Sequence, residues 1–262
     1  MRHPFFRTSR ALIFAHRGGA ALAPENTIAA FDRGLESGAD GIELDVRLSR
    51  DGIVVVHHDA TLDRTTNQTG RVDALDARDL ARVDAGYRFV HADGHSFRGL
   101  GVGVPTLADV LRRYRDCRVI VEMKINSAEF AAAVVEVVRS ADAMDRVCLG
   151  SFGRRALRAA RQLAPSLATS AAREEVRWAL YRSWCRWPVK RPPYHGYQVP
   201  ERAEATRVVS PPFVRHSHAA GLGVQVWTVD TEADARRLLG WGVDGLISDR
   251  PDVLVPLLAQ SM

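Results

Sequence analysis

Gly41-Ile42-Glu43-Leu44-Asp45-Val46 and Val119-Ile120-Val121-Glu122-Met123-Lys124 are the two stretches whose reading decides the fold. Side chains alternate across a strand, so Ile42, Leu44 and Val46 share one face and Glu43 and Asp45 the other. Three aliphatics already provide a face towards packed helices, which turns the two carboxylates inward rather than to solvent. The second stretch is almost continuously apolar, as a parallel strand buried on both faces is. It too carries its charges, Glu122 and Lys124, two residues apart.

Working outward, strands are expected over Ala11–Ala15, Gly41–Leu48, Val54–His57, Arg118–Met123, Arg146–Gly150, Ser166–Thr169, Gly196–Val199, Gly223–Thr228 and Gly245–Ile247. Between most of them lie segments with apolar residues three and four apart, from Thr27–Ser37 to Pro251–Leu258, the spacing of amphipathic helices. Thr106, Thr231 and Asp249 stand at N-cap-like positions, and Pro251 suits the opening of the last helix. Alternating strands and helices imply a parallel sheet. With Asp51-Gly52 read as a hairpin turn inside one unit, about eight strand–helix units remain, which suits a closed (β/α)8 TIM barrel. Nothing in the composition marks a domain boundary, so residues 1–262 read as a single domain. Residues 61–104, rich in Gly, Asp and Arg, break the rhythm and read as a small inserted subdomain over one barrel end.

The composition is that of an ordinary globular chain: 46% of the 262 residues are hydrophobic and 26% charged. The net charge of +5 comes almost wholly from arginine and gives a mild field favouring anions. No nucleic-acid-binding module accompanies it. Cys117, Cys148 and Cys185 show no metal-binding spacing and read as free thiols of a reducing compartment. Met1–Arg10 is polar and basic, and the apolar run after it is shorter than the roughly 7–15 residues of a secretory signal or the roughly 20 of a membrane span. A cytoplasmic location is therefore expected. Residues 181–200 mix Trp184, Trp187, Tyr194 and Tyr197 with Arg182, Arg186, Lys190 and Arg191. That stretch reads either as a helix end with a proline-rich covering loop or as a lip that touches an amphiphilic substrate or a membrane surface.

Four clusters carry chemistry. His16-Arg17-Gly18-Gly19 ends the first strand, where a barrel places its active site. Its glycines permit a tight turn, and the Arg17 guanidinium is forked to suit two phosphate oxygens, or else simply meets solvent. Glu43 and Asp45, forced together inside a barrel, would repel unless one is protonated or a divalent cation accepts oxygens from both. In His57-His58-Asp59 successive side chains oppose one another, which makes His58, beside Asp59 at the strand end, the acid–base candidate and His57 structural. Glu122 and Lys124 form a plain ion pair, or Glu122 adds to the metal's oxygens while Lys124 touches phosphate.

The ordered set His16-Arg17-Gly18, Pro24-Glu25-Asn26-Thr27, Glu43-x-Asp45-Val46, Asp51-Gly52, His58-Asp59, Leu62-x-Arg64-Thr65-Thr66, Pro105-Thr106-Leu107, Glu122-x-Lys124, Trp227-Thr228-Val229-Asp230 and Gly242-Val243-Asp244-Gly245 through Pro251 closely resembles the glycerophosphodiester phosphodiesterase family. The resemblance spans about residues 13 to 255. It implies metal-dependent hydrolysis of glycerophosphodiesters to glycerol 3-phosphate and an alcohol. It further implies that His16 and His58 are the acid–base pair and that Glu43, Asp45 and Glu122 hold one divalent cation, Mg2+ or Ca2+. Arg17 and Lys124 would bind the phosphate, and Trp227 would line the substrate pocket. A lysophospholipase D acting on lysophospholipids at a membrane surface is the alternative. Oligomeric state is not readable from the chain.

Overall fold

Period-two patterning sorts each barrel strand into an inward and an outward row. The computed structural model describes residues 3–259. Its strands are β1 Leu12–Ala15, β2 Gly41–Leu48, β3 Val54–Val56, β4 Arg118–Met123, β5 Val147–Gly150, β6 Ala168–Thr169, β7 Gly196–Pro200, β8 Arg202–Ala203, β9 Thr206–Arg207, β10 Gly223–Trp227 and β11 Gly245–Ser248. The parallel order β6-β5-β4-β2-β1-β11-β10-β7 wraps round until a parallel bridge between Ser170 and Gly196 joins its two ends. This is the expected eight-stranded barrel. β3 returns antiparallel along β2, as the Asp51-Gly52 turn implied, and β8 with β9 forms a short hairpin that the sequence did not announce.

The helices are α1 Ile28–Glu36, α2 Ala77–Leu80, α3 Leu107–Arg113, α4 Ala128–Ser140, α5 Arg154–Leu163, α6 Arg173–Trp184, α7 Pro211–Ala219, α8 Glu232–Gly240 and α9 Pro251–Ala259. Thr27, Thr106, Ser127, Ser210 and Thr231 each accept a hydrogen bond from a first-turn backbone N–H, a cap worth about 1 kcal/mol. Asp249 differs from expectation. Its carboxylate turns to His16 instead of capping the last helix.

Outward residues such as Ile42, Leu44, Val46, Val119 and Val121 pack under the helices in one buried cluster. Inward residues Leu12, Phe14, Ile120, Cys148, Ala168 and Ile247 form another, and Phe5 and Phe6 join it from the N-terminal segment. That segment, expected to be merely polar, plugs the bottom of the barrel. The floor has room because Gly196 and Gly223 point inward: a β-carbon there would stand 2.5 Å and 2.6 Å from the Phe6 ring. Phe6→Ala should therefore destabilise the protein by about 3 kcal/mol, the scale of a large-to-small change in a rigid core. A urea midpoint that moves by less than a third of the corresponding amount would refute the plug.

Residues 61–104 fold round a small apolar cluster of their own, with Leu62, Val72, Leu80, Val83 and Val104 packed against Val55 of β3. No residue of this segment lines the cavity described next.

Candidate active site

A cavity of about 500 Å³ opens at the C-terminal ends of the barrel strands. His16, Arg17, Glu43, Asp45, His58, Glu122, Lys124 and Trp227 all line it. His16 and Arg17 follow β1, Glu43 and Asp45 lie within β2, His58 follows β3, Glu122 and Lys124 stand at the end of β4 and Trp227 closes β10. Barrel closure thus brings together residues more than two hundred positions apart. His57 faces the other way. It is buried, with Nε2 bonded to the Thr61 carbonyl at 3.1 Å, the structural role expected of it.

His16 follows β1 in a tight turn in which Arg17 takes a left-handed φ of 51° and Gly18 one of 89°. A non-glycine residue in that region is strained and persists only where its surroundings hold it. Here the Arg17 backbone N–H donates to Glu43 Oε2 at 3.0 Å, and its carbonyl accepts from Asn26 at 2.8 Å. The same turn sends His16 Nδ1 to Asp249 Oδ1 at 2.7 Å, while Nε2 lies 3.8 Å from Glu43 Oε2. His58 is held alike, Nδ1 donating to Asp59 Oδ1 at 2.6 Å. In both rings a carboxylate takes Nδ1, which leaves Nε2 as the nitrogen available to a ligand. Burial lowers the pKa of both. For His16, Asp249 and Glu43 more than offset it and the pKa is raised; for His58, burial prevails and the pKa is lowered. Two imidazoles of unequal proton affinity are what an acid–base couple requires.

The carboxyls lie beneath. Asp45 and Glu122 stand opposite one another in the β2–β4 register. Burial pushes Glu43 up to about 7, with the nearby Asp45 charge adding to it, and pushes Glu122 up to about 8. Asp45 goes the other way, because Lys124 and Arg17 outweigh its burial. Lys124 Nζ sits 2.8 Å from Asp45 Oδ1, and Asn26 Nδ2 donates to Oδ2 at 2.9 Å. Lys124 thus pairs across the strands with Asp45 and not with its strand neighbour Glu122. Glu122 Oε1 is buried with no hydrogen-bond partner. Gly150 makes room for this carboxylate, since a β-carbon there would come within 2.4 Å of Glu122 Oε2. Among the described residues, no three acidic, histidine or cysteine side chains converge into a formed metal centre.

Arg17 is not a free fork. Its Nη1 donates to Glu25 at 3.0 Å and its Nε lies 3.3 Å from Asp45 Oδ2, which leaves Nη2 as the edge for an anion. Glu25 is gripped in turn by Arg64 at 2.7 Å, and Arg64 Nε holds Asp59 at 2.6 Å. A chain of ion pairs therefore ties His58 to Arg17 through Asp59, Arg64 and Glu25. The sequence placed Glu25 and Arg64 inside motifs without giving them tasks, and gave Asp249 only that of a helix cap. The one available signal was a charged residue just past a strand or turn, which also describes ordinary surface residues.

Above the charged layer the wall becomes apolar. Trp227 meets Phe152 edge to face at 6.1 Å, and Val176, Pro200 and Val208 complete that side, with Arg173, Arg202 and Glu204 among the outer residues.

Residues 16–253 match the model of the Glycerophosphoryl diester phosphodiesterase family. The chain belongs to that family. It is an enzyme of the phosphoric diester hydrolase class. A relative in Caldanaerobacter subterraneus subsp. tengcongensis, named glycerophosphodiester phosphodiesterase, is 34% identical over 260 residues, covering 95% of this chain and 98% of its own. The crystal structure of a glycerophosphodiester phosphodiesterase from Agrobacterium tumefaciens superposes with a TM-score of 0.75 at 30% identity, covering 94% of this chain and 99% of that one. An Oleispira antarctica phosphodiesterase, solved in complex with the product sn-glycerol-3-phosphate, has a TM-score of 0.77 at 26% identity over 95% of this chain and 97% of its own. The family's barrel is thus the one described above.

Proposed function

We propose that the protein hydrolyses glycerophosphodiesters to glycerol 3-phosphate and an alcohol, with His16 and His58 exchanging protons across the phosphate. The observation that carries this is the pair of imidazoles, each held at Nδ1 by a carboxylate, in one cavity with the carboxyls of Glu43, Asp45 and Glu122. Glu43, Asp45 and Glu122 fit one divalent cation, Mg2+ or Ca2+. Their donors are hard oxygens, the Glu122 Oε1 atom is buried without a partner, and burial raises the pKa of two of the acids, Glu43 and Glu122, despite nearby Lys124. Such an ion, when bound, neutralises charge on phosphate oxygens. Arg17 Nη2 and Lys124 would take the remaining phosphate oxygens. One histidine takes a proton from the nucleophile, water or the neighbouring glycerol hydroxyl, and the other gives one to the leaving alkoxide. Phe152 and Trp227 form the wall against which the organic part of the substrate rests.

The apolar side of the cavity favours a second reading, a lysophospholipase D, because an acyl chain needs such a wall. Choline release from glycerophosphocholine, compared with that from lysophosphatidylcholine under Mg2+, Ca2+ and Mn2+ in turn, decides between them. Faster turnover of the soluble diester supports the first reading; preference for the lysolipid replaces it.

The ion-pair chain gives a subsidiary expectation. Arg64→Ala frees Glu25 and Asp59 and so loosens both Arg17 and His58, lowering kcat by about 10- to 100-fold, the usual scale for groups that orient a site. The pH–rate profile should shift with it, and Arg64→Lys should restore part of the loss. An unchanged profile would mean the chain is only structural.

A further inference from the structure

Four large aromatic side chains stand exposed in one row along α6 and the turn that follows. Trp178 is 67% exposed, Tyr181 49%, Trp184 58% and Trp187 66%. They recur every three residues, and their rings form a ladder: Trp178 to Tyr181 at 6.3 Å and Tyr181 to Trp184 at 5.4 Å, both edge to face. They are not the helix's packing side, since Ala179, Leu180 and Ser183 are the residues buried against the barrel. Arg177, Arg182, Arg186, Lys190 and Arg191 flank the row, and no Asp or Glu occurs between Val176 and Pro200. Tyr194 and Tyr197, which the sequence grouped with this stretch, are instead core residues beneath α7. None of the four exposed aromatics lines the catalytic cavity.

Contiguous exposed aromatic surface in a water-facing protein marks a place where something binds. We propose that this face of α6, with the Arg186–Arg191 segment, seats the protein on an anionic lipid surface. Indole and phenol rings prefer the boundary between head groups and acyl chains, and Arg and Lys extend their charged ends to lipid phosphates while their stems lie on apolar material. Charge decides the occupant. A two-fold contact with a second copy sets five cations against five. Single-stranded nucleic acid satisfies the charge, but the rings already pack edge to face on each other and offer few open platforms for bases. The inference concerns docking and is independent of which phosphodiester the cavity accepts.

The test is co-sedimentation with vesicles of phosphatidylcholine alone and of phosphatidylcholine mixed with phosphatidylglycerol, together with tryptophan emission. The protein should partition onto the mixed vesicles at least about tenfold better than onto the neutral ones, with a blue-shifted emission and release by salt. Arg182→Gln with Arg186→Gln should weaken that partitioning roughly thirtyfold, at about 1 kcal/mol per basic residue near the surface. Trp178→Ser with Trp184→Ser should remove most of the blue shift. Both variants should keep full turnover of soluble glycerophosphocholine, which shows that they are folded. Equal binding to both vesicle types overturns the proposal, as do variants that bind like the parent. So does a dimer in sedimentation velocity that the tryptophan variant abolishes, or displacement from vesicles by a single-stranded oligonucleotide.

Discussion

His16→Ala lowers turnover of glycerophosphocholine by about 10²- to 10⁴-fold, and His58→Ala does the same, the range of a positioned general acid or base. Each ring is fixed by a carboxylate at Nδ1, so alanine removes a proton carrier whose direction is already set. The double variant should lose scarcely more than either single one, because residues that act as a unit are far from additive. Asp249→Asn offers a finer reading. It keeps the hydrogen bond but removes the charge that supports the raised His16 pKa, so the limb of the pH–rate profile governed by His16 moves to lower pH. Near-normal kcat in either alanine variant would remove that histidine from the mechanism.

Glu43→Ala, or excess EDTA on the parent protein, should reduce activity by about 10³-fold or more, a scale set by losing charge stabilisation at the transition state. The same carboxyls provide a readout that needs no substrate. Glu43 and Glu122 have folded pKa values near 7 and 8 against an ordinary 4.5. Between about pH 4.5 and 8 the native state then binds more protons than the unfolded one, and stability falls as pH rises through that window. A cation that binds only the folded site reverses the fall by mass action. In EDTA the melting temperature should therefore drop from pH 5 to pH 8, and Mg2+ or Ca2+ should restore it most at the upper end. Glu43→Gln with Glu122→Gln should flatten both trends. Full activity in EDTA, or a cation effect that survives in the double variant, would rule out a metal at these residues.

Most of the barrel was legible because its signals are local. Alternation in Gly41–Val46 and the apolar run of Val119–Val121 each depend on a few neighbouring residues, and β2 and β4 lie where those patterns put them. Inward projection of Glu43, Asp45, Glu122 and Lys124 follows from the same arithmetic. The Phe5–Phe6 plug was not legible, since two aromatics in a polar segment carry no period, and their burial depends on glycines at positions 196 and 223. The aromatic stretch was half misread for a related reason. Tyr194 and Tyr197 go inside while Trp178, outside the expected bounds, joins the exposed row, because the helix phase and the β7 register decide the facing.

The chain by itself determined the alternating elements, the barrel class and which residues carry charge into its mouth, because each of these is set by side-chain spacing along a few residues. Who holds whom was decided only by the tertiary structure. Asp249 orients His16 across 233 positions, Lys124 leaves Glu122 for Asp45, and Arg17 is shared between Glu25 and Asp45. An ion pair or hydrogen bond of this kind depends on a separation of about 3 Å in space. Sequence spacing does not encode that distance; closing eight strands into a ring creates it.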